Sequence, residues 1–137
     1  AFCNRTTKWE VEGLDDLCAA LAEGPVLLVM WHSRSIMGAL HWPVADAPLS
    51  SLYDRSPIGR VSGALQRRAG LQPMEMSRKL SNRAASRTVL KRVKEGVSIG
   101  MTGDGPLGTA LLVKDAHLDW ARVTGVPIPL GMGAYVV

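Results

Sequence analysis

The chain is short of several things. Cysteine is one: only Cys3 and Cys18 occur in 137 residues, far apart and without metal-ligand spacing. They are too few for a disulfide framework. That argues for a reducing compartment and against a metal site. Aromatic side chains make up 5%, with Phe2 the one phenylalanine. A long hydrophobic run is also missing. The longest, Val26 to Trp31, falls far short of the ~20 residues of a spanning helix. No linker-like tract or internal repeat breaks the chain, which reads as one domain over residues 1–137. Its ends, with "TKWEVEG" near the start and "GAYVV" at the finish, are strand-like, as in a fragment or a chain lacking ordered termini.

Acidic residues are missing from one region in particular. Between Arg55 and Lys94 stand eleven basic residues and a single acid, Glu75, although the whole chain carries only +4. The flanks are therefore net acidic. Such asymmetry points to an anionic partner, or else to a solvated arginine-rich face. The basic stretch has no interleaved aromatics for base stacking, which argues against nucleic acid.

What is present alternates. "LDDLCAALAEG" has helical apolar spacing and a glycine stop, and "PVLLVMW" is a continuous apolar run of the kind covered on both faces. "LSSLY", "LQPMEM", "VSIGMT" and "VPIPLGM" read as strands, and "IGRVSGALQRRAG" and "NRAASRTVLKRVKEG" as helices. In the second helix Ala85, Val89 and Val93 share one stripe, while Arg83, Arg87, Lys91 and Lys94 share another. "LLVKDAHLDWARVTG" reads as an extended piece followed by a helix, and "SIMGALHW" as a helical turn or two. No membrane-surface helix stands out. The alternation predicts an α/β fold: a mainly parallel sheet flanked by helices, with Val26–Trp31, Ser98–Met101 and Pro127–Leu130 among its strands.

In open sheets of this kind chemistry gathers at the carboxyl ends of strands. His32 follows one predicted strand and Asp104 another. A histidine there is either a structural hydrogen-bonder or a base. "GDGPLG" is either a plain turn or one whose backbone comes close to a ligand. His41 and His117 have no such context, and His117, within a helix, reads as a surface residue.

"LLVMWHSR", the basic "RKLSNRAASRTVLKRVKEG", "SIGMTGDGPLG" and "VTGVPIPLGM" occur in an order that resembles the DUF374 group of the lysophospholipid acyltransferase-like superfamily. The resemblance covers nearly the whole chain from Val11 onward. It implies a glycerol-3-phosphate acyltransferase-like fold. It also implies His32 as the catalytic histidine, with Asp104 as its partner or as a substrate-binding turn residue. Arg34, Arg78, Ser81, Arg83, Gly105 and Pro106 fall at the group's substrate-binding motif positions, and Thr124, Gly125, Pro127 and Pro129 match its last strand. Met37 stands where the wider superfamily has an acid, and Leu107 where the turn has an arginine.

The activity so implied moves an acyl chain from an acyl thioester, on coenzyme A or acyl carrier protein, to a lysophospholipid or another lipid-linked hydroxyl. No bound cofactor or metal is implied. The protein would be cytoplasmic and peripheral at the inner face of the membrane, with an anionic membrane surface as a further partner. Met37 and Leu107 favour the alternative, a catalytically inactive lipid- or anion-binding domain of the same fold.

Overall fold

A computed structural model describes residues 9–35, 42, 47–76, 82–104, 109, 111–113, 115–129 and 133–136. The elements run β1 (Trp9–Glu12), α1 (Leu14–Glu23), β2 (Leu27–Met30), β3 (Leu49–Asp54), α2 (Pro57–Arg68), β4 (Met74–Met76), α3 (Asn82–Lys94), β5 (Ser98–Thr102), α4 (Ala116–Thr124) and β6 (Gly133–Val136). The main sheet has the order β2-β5-β3-β4, and all three pairings are parallel. β1 and β6 form a separate antiparallel pair. The fold is thus α/β with a parallel sheet flanked by helices, as the alternation predicts.

The period of two along β2 explains its unbroken apolar sequence. Val26 and Leu28 enter a cluster with Leu17, Trp42, Ala47, Leu49 and Leu71. Leu27 enters the opposite one, with Met74, Val89, Ile99, Met101 and Val126. Both faces are therefore buried, and a polar residue on either would face a core. Leu27, Ile99, Val26 and Val89 are almost fully buried, each contributing about 1.5–3 kcal/mol. The two buried serines are satisfied. Ser98 Oγ accepts from Val26 N at 3.1 Å, and Ser50 Oγ donates to Gln72 O at 2.6 Å.

α2 approaches the sheet through small residues. Ser56 caps it, accepting from Gly59 N at 2.9 Å, and Pro57 occupies the first turn. A Cβ on Gly59 would lie 2.2 Å from Asp54 Oδ1 and 2.3 Å from its carbonyl oxygen. One on Gly63 would lie 3.1 Å from the Tyr53 ring. Gly59→Ala should therefore cost about 1–3 kcal/mol in urea unfolding, since backbone must move. Gly63→Ala should cost less, because a ring can yield. Equal, negligible losses would show that the contact relaxes freely.

One predicted strand does not form. Residues 126–129 are not a strand, although Leu27 N donates to Pro127 O at 3.0 Å along the free edge of β2. In a parallel ladder the reciprocal bond to Leu27 O would come from the N–H of residue 129. That residue is proline, so pairing stops after one bond. The predicted turn at "SIMGALHW" lies outside the described residues apart from Trp42, whose Nε1 donates to Ala47 O at 2.7 Å.

Candidate functional site

β2 and β5 are hydrogen-bonded neighbours with Met30 opposite Thr102, so the residues just beyond them share one edge of the sheet. Gly103 N donates to Met30 O at 2.8 Å, carrying the ladder one step past the strands. β2 then turns away into a short 3-10 helix, His32–Arg34, with Arg34 N donating to Trp31 O at 2.9 Å. At that point the Asp104 side chain takes over from main-chain carbonyls. Its Oδ1 accepts from His32 N at 2.8 Å. Ser35 Oγ donates to His32 O at 2.9 Å and closes the turn.

The structure therefore brings His32 and Asp104 together, through the histidine's main chain. The His32 side chain is exposed at the edge, whereas Asp104 is only 5% exposed. Among the described residues neither ring nitrogen of His32 has a hydrogen-bond partner. The second carboxylate oxygen, Oδ2, faces Leu111 N at a long 3.5 Å. Leu111 is the one non-glycine with positive φ among the described residues, at 62°, a conformation leucine rarely adopts. Its N–H lies on the Oδ2 side of the carboxylate, at the outer limit of a hydrogen bond.

These contacts hold the Asp104 carboxyl below its ordinary range. The His32 N–H is the largest cause; the N–H groups of Asp104 itself and Leu111 add to it, as does the charge of the His32 ring, while burial opposes them. Asp104 is thus a fixed negative charge at neutral pH. Behind it Gly103 is buried beneath Val29, Val113 and Trp31, whose nearest atoms would lie 3.3, 3.6 and 3.8 Å from an added Cβ. Leu111, Leu112 and Val113 leave an exposed apolar stretch beside the turn.

His117 is not the surface residue that its sequence position predicts. It is buried, its Nε2 lies 2.9 Å from Gly103 O, and its Nδ1 lies 2.9 Å from Met101 Sδ. A carbonyl only accepts, so Nε2–H donates and pins the peptide that leads into Asp104. The signal was available in the spacing. His117 shares a helical stripe with Trp120 and Ala121, which pack on the core.

Of the other predicted site residues, Arg34 is exposed on the turn after His32. Arg78, Ser81, Gly105 and Pro106 lie outside the described residues, as do His41, Met37, Leu107 and the side chain of Arg83. Because the strands are parallel, α3 begins at the His32 edge and ends at the opposite one. Arg87, Lys91 and Lys94 are exposed along it, and with Leu90 and Glu95 they line a shallow surface depression. Its C-terminal part lies away from the His32–Asp104 pair. Lys91 and Arg92 are also within 3.9 and 3.7 Å of Glu95, so part of that charge is answered locally. No group of metal-ligating side chains occurs among the described residues. No helix among them is long and apolar enough to cross a membrane.

Compared with known protein families and with curated proteins, the chain matches neither a family model nor a curated sequence.

Proposed function

We propose that this domain is an acyltransferase of the lysophospholipid type, with the acyltransferase-like fold that its motif order resembles. It would transfer an acyl chain from a thioester on coenzyme A or acyl carrier protein to a lipid-linked hydroxyl, at the inner face of a membrane. One observation carries the reading: an exposed imidazole at the carboxyl edge of a parallel sheet, its main chain gripped by a buried carboxylate from the neighbouring strand.

His32 would take the proton of the attacking hydroxyl, a role worth about 10²–10⁴-fold. As the acceptor oxygen bonds to the thioester carbon, the carbonyl becomes an oxyanion, and its collapse expels the thiolate. The imidazolium then returns the proton to that sulfur. Asp104 would act as a positioning residue. It fixes the turn that carries His32, and its lasting charge favours the imidazolium that forms beside it. The exposed segment Leu111–Val113 would offer apolar surface to the acyl chain, and Arg34, Arg78 and Arg83 would hold phosphate.

Met37 and Leu107, where the motifs carry an acid and an arginine, favour a second reading, an inactive lipid- or anion-binding domain. Labelled acyl-coenzyme A incubated with a panel of lysolipids separates the two. A labelled diacyl product supports transfer. Lipid binding with no product supports the inactive domain.

A further inference from the structure

We infer that α2 docks the domain on an anionic lipid surface. The helix is turned inside out relative to its sequence. Ile58, Val61 and Leu65 recur at helical spacing, as a core-facing stripe does, yet they are 83%, 61% and 61% exposed. The face toward the sheet is made of Gly59, Ser62, Gly63 and Gln66. Gly63 meets the Tyr53 ring, and Gln66 accepts from Ser51 Oγ on β3. Small and polar residues thus seat the helix, and the apolar residues are left outside.

Charge decides what covers them. α2 carries Arg60, Arg67 and Arg68 and no acid. Arg67 lies over the Tyr53 ring, 5.6 Å from its centre. Arg60 and Arg68 make no ion pair among the described residues, and both are exposed on the outer half of the helix. A second copy of the chain, meeting this stripe with its own, would set arginine against arginine. The surface is a convex helix, not a groove, so its protruding side chains fit a medium that yields around them. Apolar residues flanked by arginines that reach outward match an interfacial helix on anionic lipid. α4 makes the contrast: its exposed Leu118 and Val123 sit among Asp115, Asp119 and Arg122, a mixed and weakly charged surface.

The orientation is productive. β3 is parallel to β5, so the start of α2, with Ile58, lies at the sheet edge that carries His32 and Asp104. The inference deepens the peripheral-membrane part of the proposed function, but its test scores binding without catalysis, so the two can fail separately.

The test is co-sedimentation of the full chain at low salt with phosphatidylcholine vesicles, or with mixed phosphatidylcholine and phosphatidylglycerol vesicles. The parent should partition to the mixed vesicles only. Val61→Ser with Leu65→Ser should weaken partition at least tenfold. Arg60→Gln with Arg68→Gln should weaken it about fivefold for each charge removed. Leu118→Ser should change nothing, and His32→Ala should bind as the parent does. Circular dichroism should show all variants folded, since every altered side chain is exposed. Unchanged partition in both α2 variants would overturn the inference. So would failure of the parent to bind, concentration-dependent dimers abolished by the Val61 and Leu65 changes, or binding to an acidic polypeptide in place of vesicles.

Discussion

His32→Ala should lower acyl transfer by about 10²–10⁴-fold, the range for losing a general base. The fold should survive the change. The His32 side chain is exposed, and the bond that fixes its turn comes from its main-chain N–H to Asp104, which alanine keeps. Thermal and urea transitions of the variant should overlay those of the parent, and vesicle partition should persist. His41→Ala, a histidine that falls in none of the matched motifs, should keep most activity. The readout is initial-rate formation of labelled diacyl product at saturating donor. A loss in kcat with little change in KM is expected, because a base acts mainly in the transition state. Turnover of His32→Ala at the parent rate would remove the histidine from the chemistry and leave a structural turn residue.

Much of the fold was legible because local pattern and tertiary burial agree. "PVLLVMW" is apolar at every position since both faces of β2 are covered, and "VSIGMT" follows the same logic with small residues where Leu49 comes close. α3 was readable from Val89 and Val93, which do pack on the core. Three things were not legible. "VPIPLGM" has strand composition, but its prolines cannot complete a ladder, and the sequence does not say which edge it meets. α2 has a helical apolar stripe, and the sequence reading as a helix does not say which face meets the sheet. Only the contact of Gly59 and Gly63 with Asp54 and Tyr53 shows that the opposite face is the buried one. His117 lies within a helix and outside every motif, so its sequence context points to the surface, whereas the Gly103 carbonyl serves its Nε2 inside. At the site, the position of His32 and Asp104 at one sheet edge followed from strand order. That Asp104 would grip the main chain of His32, and not its ring, depends on a side-chain torsion that no sequence pattern encodes.

Asp104→Asn should cut transfer by about 100-fold, the scale of a small misplacement of a catalytic group. The substitution is nearly isosteric, so it separates charge from shape. The amide oxygen can still accept from His32 N. The amide nitrogen, in the place of Oδ2, then faces Leu111 N–H, donor against donor, at a residue already held at positive φ. The turn should loosen on that side, and the fixed charge beside the His32 ring is gone. Acid unfolding supplies a second readout with a defined sign. The Asp104 carboxyl is lowered in the folded chain, chiefly by the His32 N–H. Its contribution to stability is therefore complete above the unfolded aspartate value, about 3.9, and is lost as pH falls through the lower folded value. The stability difference between the parent and Asp104→Asn should stay constant from neutral pH to about pH 5 and shrink below it. Activity and acid stability should change together in Asp104→Asn, whereas His32→Ala, which keeps the main-chain N–H to Asp104, should change chiefly the first. An Asp104→Asn protein with parent activity and a pH-independent stability difference would mean that the carboxylate neither holds the turn nor tunes it. In that event the His32 main chain would owe its position to the ladder bond at Gly103 and to the 3-10 turn alone.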